Sequence, residues 1–202
     1  MASDRGYGRR TRPKRKTVRR ILVVTEGTRT EPQYVEGLNT YLRSKASTTI
    51  VKPVGVGEDP LQVVKKCVEL RDAVADGEKA YDICVCLVDV DSHSTLEVAA
   101  RLAHREGVCL LISNPKFEAW LRWHAEDKRS ALTSSQLDKL TEKLKLIRGK
   151  SIAQPFPFDA VENACIIARQ TDPDMEAGRR GPNPSSAMPI LVELMRGDST
   201  SC

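Results

Sequence analysis

Three short apolar runs constrain this chain more than anything else in it: Ile21-Leu22-Val23-Val24, Ile83-Cys84-Val85-Cys86-Leu87-Val88 and Val108-Cys109-Leu110-Leu111-Ile112. Each is continuous rather than alternating, so each must be covered on both faces, the condition of a parallel sheet between helices. The segments between them have helical spacing. Residues 30–45 carry Tyr34, Leu38, Tyr41 and Leu42, with Thr30 as a predicted N-cap and Pro32 in the first turn. Residues 60–75 follow Asp59 and carry Leu61, Val64, Val68 and Leu70, and a third helix is expected near 94–106. A fourth strand is predicted at Thr49–Val54, where Pro53 demotes it to an edge. After Asn114-Pro115 the pattern turns helical again over residues 116–124, with Asn114 as the predicted cap. The order βαβαβαβα predicts an α/β fold, a mostly parallel four-stranded sheet of Rossmann-like type with helices on both faces.

Beyond residue 126 no strand is expected. Helices are predicted near 134–148, 159–170 and 186–196, separated by Pro-rich breaks at Gln154–Pro157 and Gly178–Pro184. The expected organisation is therefore a basic flexible arm over 1–19, an α/β core over 20–126, and a helical C-terminal extension over 127–202 packed on that core.

Charge is unevenly spread. The net charge is +5, yet the first 20 residues hold nine cations against the single acid Asp4, which leaves the body mildly acidic. Such an arm is suited to nucleic-acid phosphates, with Arg15, Lys16, Arg19 and Arg20 as its contacts, or serves as a solubilising leader. Aromatic residues make up only 4% of the chain, too few to expect a base-stacking platform. No run approaches the ~20 apolar residues of a membrane span, and no apolar segment follows the charged N-terminus as in a secretory signal. The six cysteines show no CxxC pair and no disulfide-like spacing. Free thiols and a cytoplasmic protein are the expectation.

The chemistry sits where the strands end. Open parallel sheets bind ligands at their carboxyl ends. The first run ends in Glu26-Gly27, the third strand in Asp89-Val90-Asp91. An isolated Glu-Gly is usually a turn, and an isolated DxD is often a helix cap or a solvated loop. Together at neighbouring strand ends, Glu26, Asp89 and Asp91 would repel one another unless a cation intervened. Mg²⁺ or Mn²⁺, bound through oxygen, suits that set and can polarise a phosphoryl oxygen and activate water. Gly27 is expected to leave room for a phosphate or a turning backbone. His93, in the loop after Asp91, is a candidate acid or leaving-group contact, with an idle loop histidine as the alternative. Lys116 and Arg122 are candidate phosphate contacts. No Cys/His pairing predicts zinc, and no GxxxxGK[ST] predicts ATP hydrolysis by this chain.

Val23-Val24-Thr25-Glu26-Gly27 followed by Leu87-Val88-Asp89-Val90-Asp91 resembles the two signature elements of TOPRIM domains. With Thr28-Arg29-Thr30-Glu31-Pro32-Gln33-Tyr34, Ser113-Asn114-Pro115-Lys116-Phe117-Glu118-Ala119-Trp120-Leu121 and Asn183-Pro184-Ser185-Ser186, the chain resembles the RloB-like family over residues ~20–195. The resemblance implies a TOPRIM-like core, bacterial antiviral defence, a nuclease acting on RNA (tRNA included) or DNA, and an ATPase partner encoded nearby. It implies that Glu26 is a metal ligand or general base and that Asp89 and Asp91 bind one or two ions. Glu31 matches the second acid of the EGxTE pattern in OLD-type nucleases, although a first-turn acid also favours the helix dipole. Glu118 joins the candidates, facing either the acidic cluster or only its own helix dipole. Two other readings remain open here. One is a non-catalytic TOPRIM-fold subunit that binds nucleic acid or regulates a partner. The other is a haloacid-dehalogenase-type phosphatase, which superficially shares the DxD but places it on the first strand with a distal acidic pair. Oligomeric state is left open.

Overall fold

The computed structural model describes residues 18–45, 47–75, 79–90 and 94–198. Arg15, Lys16, Asp91 and His93 therefore lie outside the described residues. In chain order the first elements are β1 (Arg20–Thr25), α1 (Thr30–Ser44), β2 (Ile50–Gly55), α2 (Pro60–Asp72), β3 (Ile83–Asp89), α3 (Leu96–Glu106) and β4 (Cys109–Asn114), the alternation read from the sequence. Next come α4 (Glu118–Arg122), α5 (Ser134–Lys143), the two-residue strands β5 (Ile147–Arg148) and β6 (Ser151–Ile152), α6 (Val161–Thr171), β7 (Ser185–Ser186) and α7 (Met188–Arg196).

The strands pair in the order β2-β1-β3-β4-β7, the first four in parallel and β7 antiparallel. The sheet thus has five strands, not the expected four. Ser185 and Ser186 carry no apolar pattern to announce a strand. They are held instead by pairing with Ser113 and Asn114 and by a 2.8 Å bond between the Ser113 and Ser186 hydroxyls. At the other edge β2 includes Pro53, whose missing N–H is tolerated there.

Successive residues of the central strands enter opposite cores, as their continuous hydrophobicity requires. Ile21, Val23, Val85, Leu87, Cys109 and Leu111 face α1, α4, α6 and α7, in a core with Leu38, Trp120, Leu121 and Leu191. Leu22, Val24, Cys84, Cys86, Val88, Leu110 and Ile112 face α2 and α3, against Val63, Val64, Cys67 and Ala99. The helix following β1 thus covers one face and the helix following β3 the other. The gap between the carboxyl ends of β1 and β3 is the switch point of the sheet, where open α/β folds place ligands.

Local chemistry accounts for the helix ends. Asp59 caps α2 by accepting the Leu61 N–H at 2.9 Å, and Thr133 and Gln136 form a capping box on α5. The helix expected over 134–148 stops at Lys143 because its C-terminus turns back on itself. Lys145 N–H donates to Glu142 and Leu146 N–H to Thr141, both at 2.9 Å, with Lys145 at φ +57. A left-handed turn of this kind favours glycine, and a lysine there costs about 1–2 kcal/mol. The chain then makes the β5–β6 hairpin, whose Gly149 (φ +64) meets the positive φ that a two-residue turn requires. Two predicted caps are not used as such. The residue at the head of α1 is Arg29, without a side-chain cap, while the Thr30 hydroxyl donates to the Lys150 carbonyl at 3.3 Å. Asn114 does not cap α4, which begins at Glu118; its amide donates to the Gly181 carbonyl at 2.9 Å. Cys67, Cys84, Cys86 and Cys165 are free, as expected. Cys109 departs from that expectation in being disulfide-bonded, a pairing that spacing along the chain could not show. Among the described residues, no helix is long and apolar enough to cross a membrane.

Beneath the first face, Tyr34, Trp120, His124 and Phe156 pack edge-on or tilted, with ring centroids 5.0–6.3 Å apart. His124 Nδ1 lies 3.2 Å from the Trp120 carbonyl and so carries the proton; Nε2 then accepts from the Tyr34 hydroxyl at 3.1 Å. Burial pushes the His124 pKa down to about 4. Below its ordinary pKa the unfolded chain takes up a proton that the folded chain refuses until about 4, so stability falls as pH drops through that interval, by about 3 kcal/mol in full. Urea unfolding of wild type should show this loss between neutral pH and about pH 4, and His124→Phe should flatten the profile.

Candidate functional site

A cleft of about 900 Å³ opens at the carboxyl ends of β1, β2 and β3. β1 and β3 are neighbours, with Thr25 opposite Leu87, so the residues after them emerge side by side. The ladder runs one step further, Glu26 N–H donating to the Leu87 carbonyl at 3.0 Å. The Glu26 carboxylate in turn accepts the Asp89 N–H at 3.2 Å. Glu26 and Asp89, predicted from separate strand ends, thus meet in one place. Asp91, two residues on, lies outside the described residues.

Glu31 joins them from α1. Its carboxylate accepts the Gly27 N–H at 3.2 Å and stands where a Cβ on residue 27 would be. Of the two uses expected for Gly27, room for a phosphate or for a turning backbone, the space beside it goes to neither, since the Glu31 carboxylate fills it. Glu118, at the start of α4, enters from the other side. Burial, then the charges of Glu118 and Glu26, raises the Glu31 pKa above the ordinary carboxylate range. Burial also raises that of Glu118, against the lowering effect of Lys116. Lys116 lies 3.5 Å from Glu118 and 2.8 Å from Asp138. Burial disfavours its ammonium, but the Asp138 bond and the charges of Glu118 and Asp89 outweigh this and raise its pKa.

Glu26, Glu31, Asp89, Lys116 and Glu118 all line the cleft. Arg19 and Arg20 do not. They stand at the amino end of β1, about 20 Å from Glu26 at about 3.3 Å per residue. There Arg19 donates to the Leu194 carbonyl at 3.3 Å, and the Arg20 guanidinium covers Tyr81. Arg122 is buried, bonded to Glu126 and Ser130, and cannot reach a phosphate in the cleft. The sequence reading missed Arg29, Asp138 and Lys150, which also line the cleft. Arg29 sits inside the Glu26–Glu31 segment and was within reach of that reading. Asp138 and Lys150 arrive from beyond residue 126, where nothing local links them to the strand ends.

Among the described residues, no three Asp, Glu, His or Cys side chains stand close enough together to hold an ion. In kind the donors nevertheless fit a hard divalent cation. They are all oxygens, and two are buried acids whose charge their surroundings disfavour, a cost that a cation relieves.

A parallel α/β sheet with an acidic cleft at its switch point defines the class of protein. Residues 21–195 match the family described as RloB-like protein, and the chain belongs to that family. No curated protein and no solved structure matches it.

The acidic crowding has a measurable consequence. A carboxyl with a raised pKa in the folded state weakens folding at neutral pH, and that loss is recovered as pH falls through the raised value. Glu31→Gln should therefore melt at a higher temperature than wild type at neutral pH, and the difference should close on acidification. An unchanged or lower Tm at neutral pH would contradict this account of Glu31.

Proposed function

We propose that the protein is a Mg²⁺- or Mn²⁺-dependent nuclease cutting phosphodiester bonds of RNA or DNA in antiviral defence, together with an ATPase partner encoded nearby. One observation carries this reading: Glu26 and Asp89 meet at the switch point beside Glu31 and Glu118, with Lys116, Arg29 and Lys150 lining the same cleft. Acids that a divalent cation can satisfy, bordered by cations that suit phosphate, form the composition a phosphodiester needs. Family membership and the resemblance to TOPRIM motifs support the same assignment.

Glu26, Asp89 and Asp91 would hold the ion, which when bound polarises a phosphoryl oxygen and lowers the pKa of water. The remaining work falls to the chain. The Asp89 N–H fixes the Glu26 carboxylate, and the Gly27 N–H fixes Glu31, so both acids are oriented before substrate arrives. Lys116, drawn into the cleft by Glu118 and Asp138, is placed to neutralise charge on a phosphate. His93 is retained as an acid for the leaving oxygen. The arm residues Arg15, Lys16, Arg19 and Arg20 act, in this reading, on nucleic acid, Arg19 and Arg20 from the amino end of β1.

Purified full-length protein with Mn²⁺ should cut at least one of total RNA or plasmid DNA. Asp89→Ala and Glu26→Gln should each lower the rate by at least about 100-fold with folding intact. Cutting that survives in both variants would refute the reading. The non-catalytic alternative draws on the separation of the described acids, which form no ready ion cage. It requires nucleic-acid binding, no turnover with any divalent metal or partner, and no effect of Asp89→Ala on affinity.

A further inference from the structure

Lys150, at the rim of the cleft, belongs to a larger group of cations that the proposed function otherwise leaves unused. Residues 139–150 carry Lys139, Lys143, Lys145, Arg148 and Lys150 against the single acid Glu142, and all five cations are exposed. None of them makes an ion pair among the described residues, and all five lie within twelve positions of the chain. Unpaired cations concentrated on one surface are an electrostatic footprint for a polyanion.

The rim is also firmly built. Ile147 and Ile152, opposite each other in the β5–β6 hairpin, are buried in the first core, which leaves Arg148, Gly149 and Lys150 outward at its tip. Ile152 N–H donates to the Gln33 side chain at 3.0 Å, and the Lys150 carbonyl accepts from Thr30 at 3.3 Å. Both bonds run to the first turn of α1, which also carries Glu31. The hairpin tip is thereby fixed at the cleft, with Gly149 and Lys150 lining it.

Lys145 supplies a separate observation. It is the only non-glycine residue at positive φ among the described residues, and it sits where glycine would fold more favourably. A residue held in a conformation that disfavours it points to use of its side chain. The side chain is an exposed cation in the middle of the same basic group.

From these observations we infer that the β5–β6 hairpin with the end of α5 is the surface that grips the substrate strand, Lys145, Arg148 and Lys150 binding backbone phosphates. This rests on the nucleic-acid part of the proposed function, and it adds the element that does the holding. It separates binding from cutting: phosphates on the rim, acids in the cleft floor. A polyanion is preferred to a small phosphate compound because the cations are exposed and spread over a helix end and a hairpin, not gathered around one point.

The test is fluorescence anisotropy of the full chain in EDTA, where no cutting occurs. The probes are labelled single-stranded DNA and RNA about 20 nucleotides long, longer than a typical single-strand site. Arg148→Ala/Lys150→Ala should bind about tenfold more weakly and lower the slope of log affinity against log salt by about 1 to 1.5, two phosphate contacts at about 0.7 each. Lys65→Ala/Arg101→Ala, an equal charge loss on α2 and α3, should bind as wild type. Lys145→Gly should bind more weakly yet melt about 2–4 °C higher, a combination that a merely structural residue would not give. Unchanged affinity and slope in Arg148→Ala/Lys150→Ala, or an equal loss in the α2–α3 control, would overturn the inference. So would competition by polyglutamate as effective as that of unlabelled oligonucleotide at equal charge. The two readings fail separately. Hairpin-dependent binding without any cutting leaves this inference standing and removes the nuclease; cutting with hairpin-independent binding does the reverse.

Discussion

Parallel pairing of β1 with β3 is the interaction on which the rest of this molecule depends. It places Glu26 against Leu87 and Asp89, and only that register brings two acids more than sixty residues apart within one hydrogen bond of each other. A slip of one residue would turn every side chain of β1 to the opposite face and exchange its two cores. Burial on both faces resists such a slip, because Ile21 and Val23 on one side and Leu22 and Val24 on the other are all fully enclosed. The two cores thus set the register, and the register sets the site.

Around this pair the site is made of disfavoured charges held in place by backbone donors. Glu31 and Glu118 are pushed towards their neutral forms by burial, while Lys116 is kept charged by the acids around it. The Gly27 N–H and the Asp89 N–H hold the two carboxylates nearest the sheet without neutralising them. Such a cluster is soft towards added positive charge and stiff in geometry. A binding or catalytic centre for anionic substrates gains from both properties.

How much of this was legible in the sequence depended on whether the signal was local. The strands around Ile21–Val24, Ile83–Val88 and Val108–Ile112 are set by continuous hydrophobicity, a property of a few adjacent residues, and Glu26 and Asp89 are found simply by reading where those runs stop. Glu31 and Glu118 were visible through resemblance, though the contact that explains Gly27 was not, since it joins a glycine to a carboxylate one helical turn away. β7 was hidden because Ser185 and Ser186 are polar and their strand exists only through pairing with β4. The early end of α5 was hidden because Lys145 adopts a backbone conformation that its residue type disfavours. Asp138 and Lys150 reach the cleft through long-range packing, about which a window of sequence is silent.

The pairing of β7 with β4 also fixes an order of events during synthesis. Asp89 pairs with Ser113, and Ser113 with Ser186, so the row that starts at Asp89 is completed by a residue made 73 positions after Ser113. The first core likewise waits for Leu191, Val192, Leu194 and Met195 of α7. A chain cut short before residue 186 has the acids already translated, but β4 is still an open edge and the first core lacks α7. The sheet that carries the acids is thereby completed only once β7 and α7 have been made.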